Sequence, residues 1–90
     1  MELSQVIFID NLPTIDLHGL DCDSARVKTL EFINDNLCMK NDIICIIHGI
    51  GSGAIKTEVH KTLKRHKKVL DYKLFFNNVG STIVKLNVDK

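Results

Sequence analysis

Apolar residues fall into short groups of differing period along the chain. Residues 6–9 are a brief apolar run, read as a leading edge strand. Residues 14–18, Thr-Ile-Asp-Leu-His, alternate with period two. That predicts a strand turning Ile15 and Leu17 to the core and Asp16 and His18 together to the other face, ended by Gly19. Val27, Leu30, Ile33 and Leu37 recur at helical spacing, so a helix capped by Asp21 or Asp23 and running to about 39 should bury them as its stripe. After the turn Lys40-Asn41-Asp42, residues 43–47 are almost continuously apolar and β-branched, as in a central strand covered on both faces. A second helix, about 54–66, should turn Ile55, Val59 and Leu63 inward and leave Lys56, His60, Lys61, Lys64 and Arg65 to solvent. Two further strands, about 69–76 and 81–88, flank Asn77-Asn78-Val79-Gly80, which has the chemistry of a hairpin turn.

The order β-α-β-α-β-β predicts a two-layer α/β sandwich with both helices on one face of the sheet. Ninety residues make a single domain, 1–90, with its core at about 14–86. A chain of this size buries roughly 60–65% of its unfolded surface, enough for one modest core. Its 44% hydrophobic and 26% charged residues are those of an ordinary soluble protein. No apolar stretch approaches the roughly 20 residues that cross a bilayer, and Met1 to Gln5 lack the charged and apolar regions of a signal peptide. The expected compartment is the cytoplasm, with no membrane partner. Cys22, Cys38 and Cys45 are odd in number and form no CxxC pair, so they read as small hydrophobes rather than as a zinc or redox motif.

The overall charge of +1 hides a division. Residues 1–45 carry three basic and eight acidic groups, net −5; residues 46–90 carry nine and three, net +6. Six of those nine bases, Lys56, Lys61, Lys64, Arg65, Lys67 and Lys68, fall within thirteen positions. A run of that density at the start of a helix suits a polyanion, held by its phosphates without base reading.

The candidate chemistry lies at the ends of the first and central strands. Gly49, Gly51 and Gly53 separate a strand from a helix, where a loop without Cβ atoms exposes its amides beside the positive helix N-terminus. Neither the GxxxxGK[ST] nor the GxGxxG nucleotide motif fits this loop. Asp16 and His18, two apart on a strand, are neighbours on one face, and His48 directly precedes the loop. In a parallel βαβ unit both strands end at one sheet edge, so an acid, two histidines and a phosphate cradle share one rim. Such a set suits phosphodiester chemistry or tight phosphate binding. The histidines and cysteines show no metal-ligand spacing.

Two of these stretches carry a resemblance. Ile15-Asp16-Leu17-His18-Gly19 resembles the LDLHG motif of the Smr (small MutS-related) domain, and His48-Gly49-Ile50-Gly51-Ser52-Gly53 resembles its HGxGxG motif. Ala54-Ile55-Lys56 suits the continuation, and Gly80 to Leu86 resembles the closing strand. Membership would imply a fold like the C-terminal domain of bacterial translation initiation factor three. It would also imply nucleic-acid binding, often with endonuclease activity, in a domain found on MutS-like proteins linked to recombination suppression and ribosome rescue, or as stand-alone proteins, which the opening Met1 suits. The resemblance assigns catalysis to Asp16, His18 and His48, and phosphate binding to Gly49, Gly51, Ser52 and Gly53. The helix bases Lys56, His60, Lys61, Lys64, Arg65 and Lys68 would hold the backbone of DNA or RNA. Ile50 departs from the family, which often has lysine there; Lys56 is the cation that can replace it.

Two functions are therefore expected as alternatives. One is an endonuclease without base specificity, in which Asp16 or His18 activates the attacking oxygen and His48 protonates the leaving one or stabilises the phosphorane. It needs no cofactor where an RNA 2′-hydroxyl attacks, Mg²⁺ being the alternative. The other is a non-catalytic module docking on DNA, RNA or a ribosome through the basic helix.

Overall fold

The computed structural model describes residues 12–51, 53–75 and 78–88. The strand expected at 6–9 lies outside the described residues, as does Ser52. Six elements follow in the expected order: β1 (Thr14–Asp16), α1 (Cys22–Cys38), β2 (Ile43–Ile47), α2 (Ala54–Arg65), β3 (Val69–Phe75) and β4 (Asn78–Leu86). The four strands form one mixed sheet in the order β1-β2-β4-β3. β1 runs parallel to β2, whereas β4 is antiparallel to both β2 and β3. A parallel pair needs a long crossover, here supplied by α1. The result is the two-layer α/β sandwich that the hydrophobic pattern predicts.

The pleat sorts the core into two sets. Ile44 and Ile46 of β2 stand with Val84 and Leu86 of β4 beneath the helices, packed against Ala25, Ile33, Val59 and Leu63. Ile43 and Cys45 alternate to the other face, where they meet Ile83 and Phe75. β2 is thus buried on both sides, which is why it reads as an unbroken apolar run.

α1 departs from its expected stripe. Ile33 is fully buried and Leu37 half-buried, but Val27 is 47% and Leu30 36% exposed. The inward positions are Ala25, Thr29, Ile33 and Asn36. Two of these are polar, and each satisfies its own hydrogen bonds: the Thr29 hydroxyl donates to the Ala25 carbonyl (2.7 Å) and the Asn36 amide to the Phe32 carbonyl (2.8 Å). The Asn36 side-chain oxygen also accepts from the Asn41 amide at 2.8 Å, fastening the turn after the helix. Polar groups so paired bury at little cost, and a reading of apolar spacing alone passes over them. The start follows expectation: Asp21 caps the helix, its carboxylate accepting the Ser24 N–H at 2.7 Å.

β4 begins earlier than the turn residues suggest. Phe75 pairs with Asn78, so Asn78, Val79 and Gly80 belong to β4 rather than to a loop. The reason lies across the sheet, where the Gly80 carbonyl is needed beside the end of β2. It accepts N–H groups from both His48 (2.9 Å) and Gly49 (3.0 Å).

The corrected stripe separates two substitutions in α1. Ile33→Ala should cost about 2–5 kcal/mol of unfolding free energy, as for other buried aliphatic truncations. Val27→Ala should change it by no more than about 0.5 kcal/mol. Urea denaturation of both variants checks the difference; equal losses would restore the apolar stripe.

Candidate functional site

The parallel pairing of β1 with β2 brings their carboxyl ends to one edge of the sheet, where open α/β sheets place their ligand sites. The Leu17 N–H still reaches the Ile47 carbonyl (2.7 Å), after which the chain leaves the sheet in a turn closed by Leu20 N–H on the Leu17 carbonyl (3.1 Å). Gly19 sits in that turn with φ +88°. The Asp16 carboxylate accepts the His18 N–H at 3.0 Å, an Asx-type contact that shapes the same turn. Leu17 points inward and is fully buried, while Asp16 and His18 are exposed, as their alternation predicts.

At the end of β2 the backbone enters left-handed conformations at Gly49 (φ +82°), Gly51 (φ +28°) and Gly53 (φ +86°). A side chain in any of these positions would be strained. Gly53 is also the N-cap of α2 and has no side chain with which to satisfy the first amides of the helix. The positive end of the helix dipole lies there, a setting that suits an anion. The N-terminus of α1 comes to the same rim, with the Cys22 sulfur 3.8 Å from the Ala54 carbonyl. There Asp21 fills the capping position, and its hydrogen bonds with Ser24 hold its carboxyl below the usual range.

Between these elements lies an open cleft of about 280 Å³, lined by His18, Gly19, Leu20, His48, Gly49, Ile50, Gly51, Gly53, Ala54, Ile55 and Lys56. Loop, helix start, His18 and Lys56 are therefore together, as the sequence suggests. Asp16 does not line the cleft; it stays beside it through its bond to the His18 backbone.

His48 differs from expectation. It is only 4% exposed, and both ring nitrogens have partners inside the fold. Its Nδ1 lies 2.9 Å from the Gly49 carbonyl and its Nε2 2.8 Å from the Thr82 hydroxyl. His60, expected on the solvent side of α2 among the phosphate-binding residues, is half-buried instead. Its Nε2 also lies 2.8 Å from Thr82 Oγ1, and its ring packs at 5.0 Å from Tyr72 and 5.8 Å, edge-on, from His48. Burial pushes both histidines below their ordinary pKa; Lys56 adds to this for each, and His48 adds to it for His60. Both are thereby held towards the neutral form. Thr82 and Tyr72 went unnoticed in the sequence, although Thr82 falls in phase with Val84 and Leu86 on the helix-covered face of β4.

The basic run is not one patch. At 3.6 residues per turn its members spread around α2. Lys56 lines the cleft, whereas Lys61 and Arg65 border a groove of about 220 Å³ between the two helices, together with Arg26, Leu30, Glu58 and others. Lys61 and Arg26 both reach Glu58 there at 3.7 Å. Lys64 lies on the opposite side, beside β3. Among the described residues no three His, Cys, Asp or Glu side chains gather as a metal site, and no helix is long and apolar enough to cross a membrane.

The family model of the Smr domain matches residues 15–87. This chain belongs to the Smr family. The fold agrees with that of the Smr domain of Thermus thermophilus MutS2, with a TM-score of 0.81 and 23% identity over 83% of this chain and 98% of that one. It also agrees with YdaL, a stand-alone small MutS-related protein from Escherichia coli (TM-score 0.73, 21% identity, 81% of this chain and 63% of that one). In sequence, the Smr chain is 36% identical over 58 residues to a protein named endonuclease MutS2 from Solidesulfovibrio magneticus, covering 64% of this chain and 8% of the relative. It is 34% identical over 77 residues to the protein of the same name from Halalkalibacterium halodurans, covering 82% and 10%. The Smr chain thus spans about a tenth of the length of these curated relatives or less.

The depressed histidines, His48 and His60 together with His66, which burial also lowers, carry a consequence for stability. In the unfolded chain they titrate near 6.5, so below that pH the unfolded state binds protons that the fold refuses. Their contribution is complete above about pH 6.5 and falls away as pH drops through the lowered folded values. The melting temperature should hold from pH 8 to 7 and decline towards pH 5, and His60→Gln should make the decline shallower. Calorimetry over that range checks it. Asp21, whose pKa lies below 3.8, does not titrate in this window.

Proposed function

We propose that this Smr chain holds the phosphate backbone of nucleic acid in the cleft between the ends of β1 and β2, and cleaves it as an endonuclease without base specificity. The observation that carries the reading is the N-terminus of α2, whose N-cap Gly53 has no side chain, joined to β2 by three left-handed glycines and flanked by Lys56 and His18. A helix start beside a cation suits a phosphate, the part of a nucleic acid that is the same at every base. The MutS2 relatives, named as endonucleases, support the same direction.

In the proposed reaction His18, exposed at the cleft, or Asp16 beside it takes the proton from the attacking oxygen. With RNA that oxygen is the 2′-hydroxyl: a new P–O2′ bond forms, the P–O5′ bond breaks, and the departing 5′-oxygen takes its proton from solvent. The loop amides hold the non-bridging oxygens as charge builds on them. No metal is required on this route. His48 serves the loop rather than the leaving group, because both its nitrogens are engaged.

That same engagement favours a second reading, a binding module that docks on structured RNA, DNA or the ribosome without cutting. A single gel separates the two: labelled single-stranded RNA and supercoiled DNA, with and without EDTA, treated with wild type, Asp16→Ala and His18→Ala. Cutting of RNA in EDTA to a 2′,3′-cyclic phosphate, lost in either variant, is the expected outcome. Strict Mg²⁺ dependence would sink the metal-free route. Mobility shifts without cutting by all three proteins would leave the binding module. In either case Lys56→Ala should weaken binding and lower the slope of log affinity against log salt by about one, and Lys64→Ala, on the other side of α2, should do less.

A further inference from the structure

Three side chains from three elements meet beneath the glycine loop: His48 after β2, His60 on α2 and Thr82 on β4. The Thr82 side chain has no exposed surface, and its hydroxyl oxygen lies 2.8 Å from Nε2 of each histidine. Elementary hydrogen-bond accounting fixes where the hydrogens are. The Gly49 carbonyl, 2.9 Å from His48 Nδ1, can only accept, so Nδ1 carries the hydrogen. Neutral His48 then has a bare Nε2, and the Thr82 hydroxyl donates to it. Thr82 has one hydrogen to give, so towards His60 its oxygen accepts, and His60 Nε2 bears the hydrogen of that bond. The chain of donors runs one way, from His60 through Thr82 to His48 and on to Gly49.

We propose that Thr82 and His60 are positioning residues of the anion site, locking His48 as its Nδ1–H tautomer and thereby fixing the Gly49–Ile50 peptide at the root of the loop. The inference rests on reading the cleft as a phosphate site. The opposite tautomer would set two lone pairs against each other at the Gly49 carbonyl and turn that peptide. The peptide is planar, so its carbonyl and the Ile50 N–H point in opposite directions and move together. Holding the carbonyl against the buried ring holds the Ile50 N–H away from it, in the loop that lines the cleft. The surroundings disfavour charge on both histidines: burial acts first, Lys56 adds to it, and the Tyr72 ring packs against His60.

The test uses the full chain, labelled with ¹⁵N, as wild type, Thr82→Val and Thr82→Ser. Long-range ¹H–¹⁵N correlation of the histidine rings at pH 7.5 reads the tautomer directly. His48 should be purely Nδ1–H in wild type and the serine variant, and mixed in the valine variant, with displaced backbone amides at Ile50, Gly51 and Ala54. Affinity for a fluorescein-labelled oligouridylate should fall about 3- to 10-fold in the valine variant, the worth of one lost hydrogen bond, and return with serine. A His48 that stays purely Nδ1–H without the hydroxyl overturns the proposal. A changed tautomer with unmoved loop amides does so too. If the valine variant fails to fold, His60→Phe, at a half-exposed position, removes the donor behind Thr82 and should also mix the His48 tautomers; an unchanged ring signal there is equally fatal. Should wild type bind no oligouridylate, the phosphate reading falls, while the ring and amide signals still decide the lock.

Discussion

The Gly80 carbonyl is the joint on which the site depends. By accepting N–H groups from both His48 and Gly49, it ends the regular ladder between β2 and β4 and starts the glycine loop at a fixed height above the sheet. A carbonyl has two lone pairs and can bind two donors, but only if the donating chain turns sharply, as Gly49 does at φ +82°. A Cβ at Gly49 would lie 3.7 Å from that of His18, an ordinary contact, so it is the left-handed backbone rather than space that calls for glycine there. The end of β1, the end of β2 and the start of β4 are thus brought together by one oxygen and one residue without a side chain. The cleft is what lies between them.

The interior is held by polar as well as apolar contacts. Thr29 and Asn36 face inward from α1, and Thr82 faces the helices from β4, all three with no exposed surface. On α1 the partners are carbonyls of the same helix one turn earlier, so polarity is buried without loss of hydrogen bonds. Thr82 instead reaches across elements and ties α2 to the strand ends, which makes it directional in a way that a valine of the same shape is not. Apolar packing places the helices on the sheet; this hydroxyl sets how α2 and the loop before it are seated.

Much of this was legible from spacing and residue type. The unbroken run at β2, the alternation at 14–18 and the glycine triplet before a helix each reflect a physical demand that leaves few substitutes. What was misread has a common cause. Apolar spacing points Val27 and Leu30 to the core and passes over Thr29 and Asn36, although side chains able to bond their own helix bury readily. His60 was placed with the lysines around it because a helical wheel shows which way a residue points but not what waits there, here Tyr72 and Thr82. His48 was correctly set at the strand end, yet its ring orientation depends on a hydroxyl 34 positions away. The basic run looked like a patch only while its members were counted along the chain rather than around the helix.

The same division of the bases bears on how the cleft can attract its ligand. Ile50 stands at the loop 69% exposed and brings no charge, and Lys61 and Arg65 border the groove between the helices, away from the loop. The attraction at the cleft itself therefore comes from one lysine, the positive end of α2 and oriented backbone amides. Dipoles act within about a helical turn and depend on orientation, whereas lysine charges act at longer range and are screened by salt. On the proposed function, a site of this composition would select a phosphate by fit and hold few charges of the chain beyond it. Reach along a longer strand would then fall to the lysines elsewhere on α2, and the two contributions, being on different sides of one helix, could be weakened separately.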